Sequence, residues 1–178
     1  MAIRPVPPPI ETAMLDSVGL VTPPWANFFN NMYKFHVGEY VVASGVTLNN
    51  GTTAAGVLSD LQTLLDGNTY HIVEAAGIPG IDLEISFTGV KSISAIIVSA
   101  YYVGSATHAV RIQLYNYSTT MWDTMHTLMD GLDYEQHFKT IADDTNYISG
   151  GAAIVRLYHT ETGNASHDLY IDYVGLKS

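Results

Sequence analysis

HAVRIQLYNY, residues 108–117, carries the pattern on which the fold turns. Val110, Ile112 and Leu114 occupy every second position, with Arg111, Gln113 and Tyr115 between them. Successive side chains of an extended chain point to opposite faces, so this stretch reads as a strand with an apolar side and a polar, aromatic side. Similar runs lie on both sides of it, at EYVVASGVTL (39–48), TYHIVEA (69–75), DLEISFTGV (82–90) and ISAIIVSAYYV (93–103). Others follow at MWDTMHTL (121–128), EQHFKTIA (135–142), AAIVRLYHT (152–160) and HDLYIDYVGL (167–176). In the last run Leu169, Ile171, Tyr173 and Gly175 alternate, whereas Ile154, Leu157 and Tyr158 interrupt the pattern of 152–160. NNGTTAAG (49–56) reads as a loop, and VLSDLQTLLDG (57–67) admits a helical turn. Short strands at near-regular spacing, without long helices between them, predict an all-β, jelly-roll-like two-sheet β-sandwich over residues 37–178.

The first 36 residues have a different texture. PVPPP (5–9) favours an extended polyproline conformation that cannot enter a sheet interior, and residues 10–19 admit a short helix ended by Gly19. In LVTPPWANFFNNMYKF (20–35), Thr22 is a candidate N-cap and Pro23 and Pro24 suit a first turn. Trp25, Phe28, Phe29 and Met32 then fall at i, i+3, i+4 and i+7, one face of a short amphipathic helix opposite Ala26, Asn27, Asn30 and Asn31. Burying each of the four is worth about 1.5–3 kcal/mol, so the stripe is expected to find a covering surface. Residues 1–36 are thus read as a partly helical N-terminal segment whose Trp25, Phe28, Phe29 and Met32 either dock into the groove of a partner or sister subunit, which would make the segment an anchor, or pack against the chain's own sandwich or around a trimer axis.

Composition narrows the function classes. The 178-residue chain carries 7 Lys and Arg against 17 Asp and Glu, a formal charge of −10, and no basic face on which nucleic acid would bind. Cysteine is absent, so thiolate chemistry is excluded. The longest apolar runs, such as AIIVSAYYV (95–103), fall short of the ~20 residues of a membrane helix, and the start lacks the apolar core of a secretory signal. No membrane partner and no classical export are expected.

No catalytic or cofactor motif stands out. Phosphate loops, nucleophile elbows and zinc-protease signatures are missing. Asp123, Glu135, Asp168 and Asp172 are carboxylates of the kind glycoside hydrolysis needs, but sequence gives them no separation. The histidines (36, 71, 108, 126, 137, 159 and 167) show no close zinc spacing, although His159, His167 and Asp172 would converge if the last two strands paired. ADDTNY (142–147) and DGLDYE (130–135) are acidic enough for calcium but fit ordinary turns equally well. The sequons at Asn50, Asn116 and Asn164 read as polar turns. The expectation is a non-enzymatic protein without a metal or cofactor.

Tyrosine is the richer signal. Twelve are present, among them Tyr101, Tyr102, Tyr115, Tyr117, Tyr158, Tyr170 and Tyr173. Trp122, just beyond the turn that follows Tyr115 and Tyr117, completes a candidate glycan-stacking patch of Trp122, Tyr115 and Tyr117. Tyrosine on strands and tryptophan in a sandwich core are also ordinary, so packing is the competing explanation.

YHIVEAAGIPGIDLEISFTGV (70–90), YYVGSATHAVRIQLYNYSTTMWDTM (101–125) and YISGGAAIVRLYHTETGNASHDLYIDYVGL (147–176) together resemble the jelly-roll domain of bacteriophage virion proteins. These are of the capsid-decoration, head-fibre and small tail-fibre kinds. Trp122 and Asp123 after LYNY, and the closing HDLYIDYVGL, carry the resemblance best. It implies a homotrimeric structural protein of the virion, assembled in the host cytoplasm, fixed by its N-terminus to capsid or tail proteins and serving decoration or host attachment. Neither a glycine repeat nor a heptad shaft follows the leader, unlike long tail fibres. Three chains would carry −30, so contacts between them should be apolar or hydrogen-bonded. The alternative is a carbohydrate-binding recognition module that reads host surface glycans through its aromatic patch.

Overall fold

A computed structural model of the chain describes residues 40–64, 66–131 and 134–178. The anchor residues Trp25, Phe28, Phe29 and Met32 lie outside the described residues. Eleven strands follow one another: β1 (Tyr40–Val42), β2 (Gly45–Asn50), β3 (Thr52–Ala55), β4 (Tyr70–Val73), β5 (Ile81–Thr88), β6 (Ala95–Val103), β7 (Ala109–Asn116), β8 (Met121–Met129), β9 (Glu135–Thr140), β10 (Ala152–His159) and β11 (Asp168–Lys177). A single 3₁₀ turn at Leu58–Leu61 is the only helical element among the described residues.

The strands form two sheets, so the fold is an all-β sandwich. One sheet runs β3-β4-β11-β6-β9, with β1 also paired to β11; the other runs β2-β5-β10-β7-β8. Every strand-to-strand pairing is antiparallel. The inner faces meet in one core that includes Ile72, Leu83, Ile85, Phe87, Val98, Ile112, Leu114, Val155, Leu157 and Leu169. Leu61 of the 3₁₀ turn plugs into that core and is fully buried.

The periodicity over 108–117 translates directly into β7. Val110, Ile112 and Leu114 enter the core, while Arg111 is exposed and Tyr115 half-buried. Three local readings need correction. The run 39–48 is two strands, β1 and β2, which belong to opposite sheets, because Ala43 dives into the core between them. Part of the predicted loop at 49–56 is strand β3, which pairs with β4 as an edge and can be rich in Thr and Ala because all four residues are exposed.

The third correction concerns the closing strand. The β11–β6 register shifts between Ile171 and Tyr173, leaving Asp172 as a bulge. An extra residue reverses the phase of everything after it. Leu169 and Ile171 face the core before the bulge and Val174 and Leu176 after it, so Tyr173 and Gly175 lie on the other side. Strand β10, by contrast, alternates strictly: Ala153, Val155, Leu157 and His159 are buried, and Ile154, Arg156 and Tyr158 face outward. The apparent interruption came from apolar and aromatic residues on the outer face.

Candidate functional site: an aromatic sheet face

The outer face of the β2-β5-β10-β7-β8 sheet gathers the side chains that the sequence singles out. Tyr115 pairs directly with Trp122 across the β7–β8 hairpin, with ring centroids 5.0 Å apart at 65°. Tyr117 meets Tyr115 edge-on at 5.0 Å. The hairpin turn sets this geometry. Asn116 Oδ1 accepts hydrogen bonds from the Ser118 and Thr119 amides at 3.0 and 3.1 Å, and Thr120 adopts a left-handed φ of 55°. Asn116 Nδ2 also donates to Asp123, whose Oδ2 accepts from the Tyr147 hydroxyl as well. Asn116 and Asp123 thus build the turn that carries Trp122.

The neighbouring strand adds residues that sequence reasoning did not assign. Arg156 of β10 lies between two rings, its guanidinium carbon 3.8 Å from the centroid of Tyr158 and 5.0 Å from that of Trp122. Two hydrogen bonds of 2.7 Å tie the same guanidinium to Asp82 of β5. A fork-to-fork contact of this kind fixes both the position and the plane of the guanidinium. Tyr158, Arg156, Trp122 and Tyr115 therefore form a rigid row, bordered by Gln113 and Thr124, which share a 3.2 Å hydrogen bond, and by Glu84 with Asn49. Beyond charge pairing, the rings and guanidinium supply flat amphipathic area flanked by hydrogen-bonding groups.

The other sheet has aromatic residues too, arranged differently. On its outer side His71, Tyr170 and Tyr101 stack face to face, with centroids 4.2 and 4.6 Å apart and planes within 11° and 10° of parallel. Tyr134 closes the row edge-on against Tyr101, and Asp168 binds the His71 ring at 2.7 Å. The rings cover one another's faces, so this row serves the sheet more than a ligand. Tyr102 is a core residue, fully buried.

The remaining candidates divide clearly. Asp123 stands on the five-stranded sheet, and Glu135, Asp168 and Asp172 on strands of the other. Asp144 accepts from the Ile93 amide and Asp143 from Thr145, so ADDTNY folds as a hydrogen-bonded turn. Asn50 donates to the Pro79 carbonyl, and Asn164 Oδ1 accepts from Ser166, so these sequons also build turns. The last two strands do not pair, since β10 and β11 lie in opposite sheets, yet His159 and His167 both approach Glu74, at 3.0 and 3.2 Å. A cavity of about 270 Å³ opens between the β8 and β9 edges, lined by His126, His137, Glu135, Asp130, Leu128 and Tyr101 among others.

No protein-family model and no curated protein matches the sequence. Among solved structures, the chain is similar to a mutant of a carbohydrate-binding module of family 29, at 14% identity and a TM-score of 0.50. That match spans 77% of this chain and 89% of the other. It is likewise similar to chitosan-binding module 1 of a chitosanase/glucanase from Paenibacillus sp. IK-5, at 15% identity and a TM-score of 0.50. Here 78% of this chain and 97% of the other are covered. At such identities the likeness shows a shared sandwich fold.

Proposed function

We propose that the sandwich is a carbohydrate-binding module of jelly-roll type, with the row Tyr158–Arg156–Trp122–Tyr115 as its contact face. The observation that carries this reading is the Trp122 ring, held between Tyr115 and an immobilised Arg156 on the outer face of a sheet. A pyranose ring presents an apolar face of C–H groups and an equatorial fringe of hydroxyls. An indole or phenol ring covers the first, while Arg156, Asp82, Gln113 and Thr124 match the second. Because Asp82 already clamps Arg156, little side-chain freedom is lost on binding.

The fold neighbours, one named for carbohydrate binding and one for chitosan binding, support the reading by analogy of fold. Charge narrows the ligand class. A chain of −10 repels uronate- or sulfate-bearing polymers, and the one arginine of the row is neutralised by Asp82. The ligand is thus a neutral or cationic polysaccharide, such as a β-glucan or chitosan.

The test is titration of the full chain with soluble β-glucan, chitosan oligomers and an anionic polysaccharide, monitored by calorimetry. Binding to the first or second, weakened about tenfold or more by Trp122→Ala with unchanged circular dichroism, is the expected result. Affinity unchanged in Trp122→Ala, or no binding to any neutral or cationic polymer, would overturn it.

A further inference from the structure

On the inner side of the sandwich, facing away from the aromatic row, the residue after β4, the last residue of β10 and the loop before β7 bring a carboxylate and two imidazoles together. We propose that Glu74, His108 and His159 form a binding site for a single Zn²⁺ ion, with Tyr102, His167 and Asn164 orienting Glu74.

The donor geometry carries the proposal. One ligand atom from each of the three residues lies within 4.8 Å of the other two, and His159 Nδ1 is 3.0 Å from Glu74 Oε1. Tetrahedral zinc with bonds of about 2.0–2.1 Å needs its donors about 3.3 Å apart, so His108 has to close by about 1.5 Å at most. His108 is the residue able to do so, since it precedes β7 and is the least buried of the three.

A second observation points the same way. His159 is fully buried; its Nε2 has no hydrogen-bond partner among the described residues, and its Nδ1 lies 3.0 Å from Glu74 Oε1 without the alignment of a hydrogen bond. The His108 Nδ1 atom is buried and unpartnered in the same way. A fully buried imidazole without a hydrogen bond costs stability unless something accepts its lone pair or proton. Two such rings with centroids 4.9 Å apart beside a buried carboxylate are hard to explain as packing alone.

The surrounding groups match what a metal site needs. The Tyr102 hydroxyl donates to Glu74 Oε1 at 2.7 Å, and the Asn164 amide donates to Oε2 at 2.8 Å. His167 Nδ1 stands 3.2 Å from Oε2. His108 Nε2 lies 3.6 Å from Glu161, too long for a hydrogen bond but close enough for that carboxylate to take up the orienting role once the ring closes on an ion. Mixed nitrogen and oxygen donors select zinc over calcium or magnesium, which prefer oxygen throughout. Bound zinc would pin the loop 104–108 to the loops 74–80 and 160–167, which are already joined by hydrogen bonds from Gly80 N to Glu161 O and from Gly163 N to Gly77 O.

The experiment strips the full-length protein with chelator, then titrates Zn²⁺ by calorimetry and Co²⁺ by visible absorption. The expected result is one ion per chain, a tetrahedral cobalt spectrum and a thermal midpoint that rises with zinc. His108→Ala, a change on a loop, should weaken zinc binding about 100-fold or more. His126→Ala, on a different edge, should leave it intact. Stripped protein that is folded yet takes up no stoichiometric zinc would overturn the proposal. So would uptake that survives His108→Ala, or that is lost in His126→Ala, since either would mark adventitious surface histidines.

Discussion

Arg156 and Asp82 are joined by two parallel hydrogen bonds of 2.7 Å, while the same guanidinium rests 3.8 Å from the ring of Tyr158. The side chains are only 15% and 13% exposed, so this ion pair is far from the surface pairs that contribute little. Its members come from strands that are neighbours in the sheet but 74 residues apart in sequence.

This pairing makes a double-mutant cycle informative. Asp82→Ala alone leaves a largely buried guanidinium without its carboxylate, and Arg156→Ala alone leaves the reverse. The two single changes should each destabilise the fold, and the double change should cost less than their sum by about 1–3 kcal/mol. Urea unfolding of the four proteins gives the coupling directly. Additivity within about 0.5 kcal/mol would mean that the clamp does not order the row. Asp82→Ala should also weaken any glycan that binds on Trp122, because Arg156 then loses its fixed plane.

Tyr102 offers an independent prediction about the buried end of the sandwich. Its hydroxyl donates to the fully enclosed Glu74 at 2.7 Å, and burial first, then Glu74 itself, raises the phenol far above its ordinary value of 10.0. The phenol therefore remains a donor at any usable pH. Tyr102→Phe keeps the ring in the core but removes one of the hydrogen bonds that hold a buried carboxylate, at a cost of about 1.5–3 kcal/mol. Chemical denaturation at neutral pH measures this. A loss below about 0.5 kcal/mol would show that Glu74 readily finds other partners.

Much of the fold was legible, because strand alternation is local. Val110, Ile112 and Leu114 announce β7, and a short turn alone places Tyr115 beside Trp122. Long-range pairing was not legible. Nothing near Trp122 indicates that β10 lies beside β7, so Arg156 and Tyr158 entered the site unannounced. The bulge at Asp172 was hidden because a one-residue insertion leaves composition unchanged while reversing the faces. The Glu74–His159 pair did leave a trace in the sequence. Tyr70, Ile72 and Glu74 share one phase, as do Ala153, Val155, Leu157 and His159, so a charged and a titratable residue each fall where an apolar one belongs. Polar residues in the inward phase were the signal for a buried site, and local histidine spacing was the wrong place to look.

The β8–β9 edge carries the last prediction. His137 on β9 faces His126 on β8 with ring centroids 4.5 Å apart, and Glu135 lies 3.9 Å away, with Asp130 lining the same cavity. Burial lowers the His137 pKa from its ordinary 6.5, His126 lowers it further, and Glu135 opposes them. With the folded value below the unfolded one, the unfolded chain binds more protons just below pH 6.5, so stability rises with pH there. The contribution of the neutral ring is fully present above about pH 6.5 and is lost as the pH falls through and below that value. Urea midpoints measured from about pH 5 to pH 8 should therefore decline on the acid side. His137→Gln, which cannot be protonated in this range, should make that decline shallower, with the neutral-pH midpoint changed much less. Parallel pH profiles for the two proteins would refute the assignment and place the acid sensitivity on other groups.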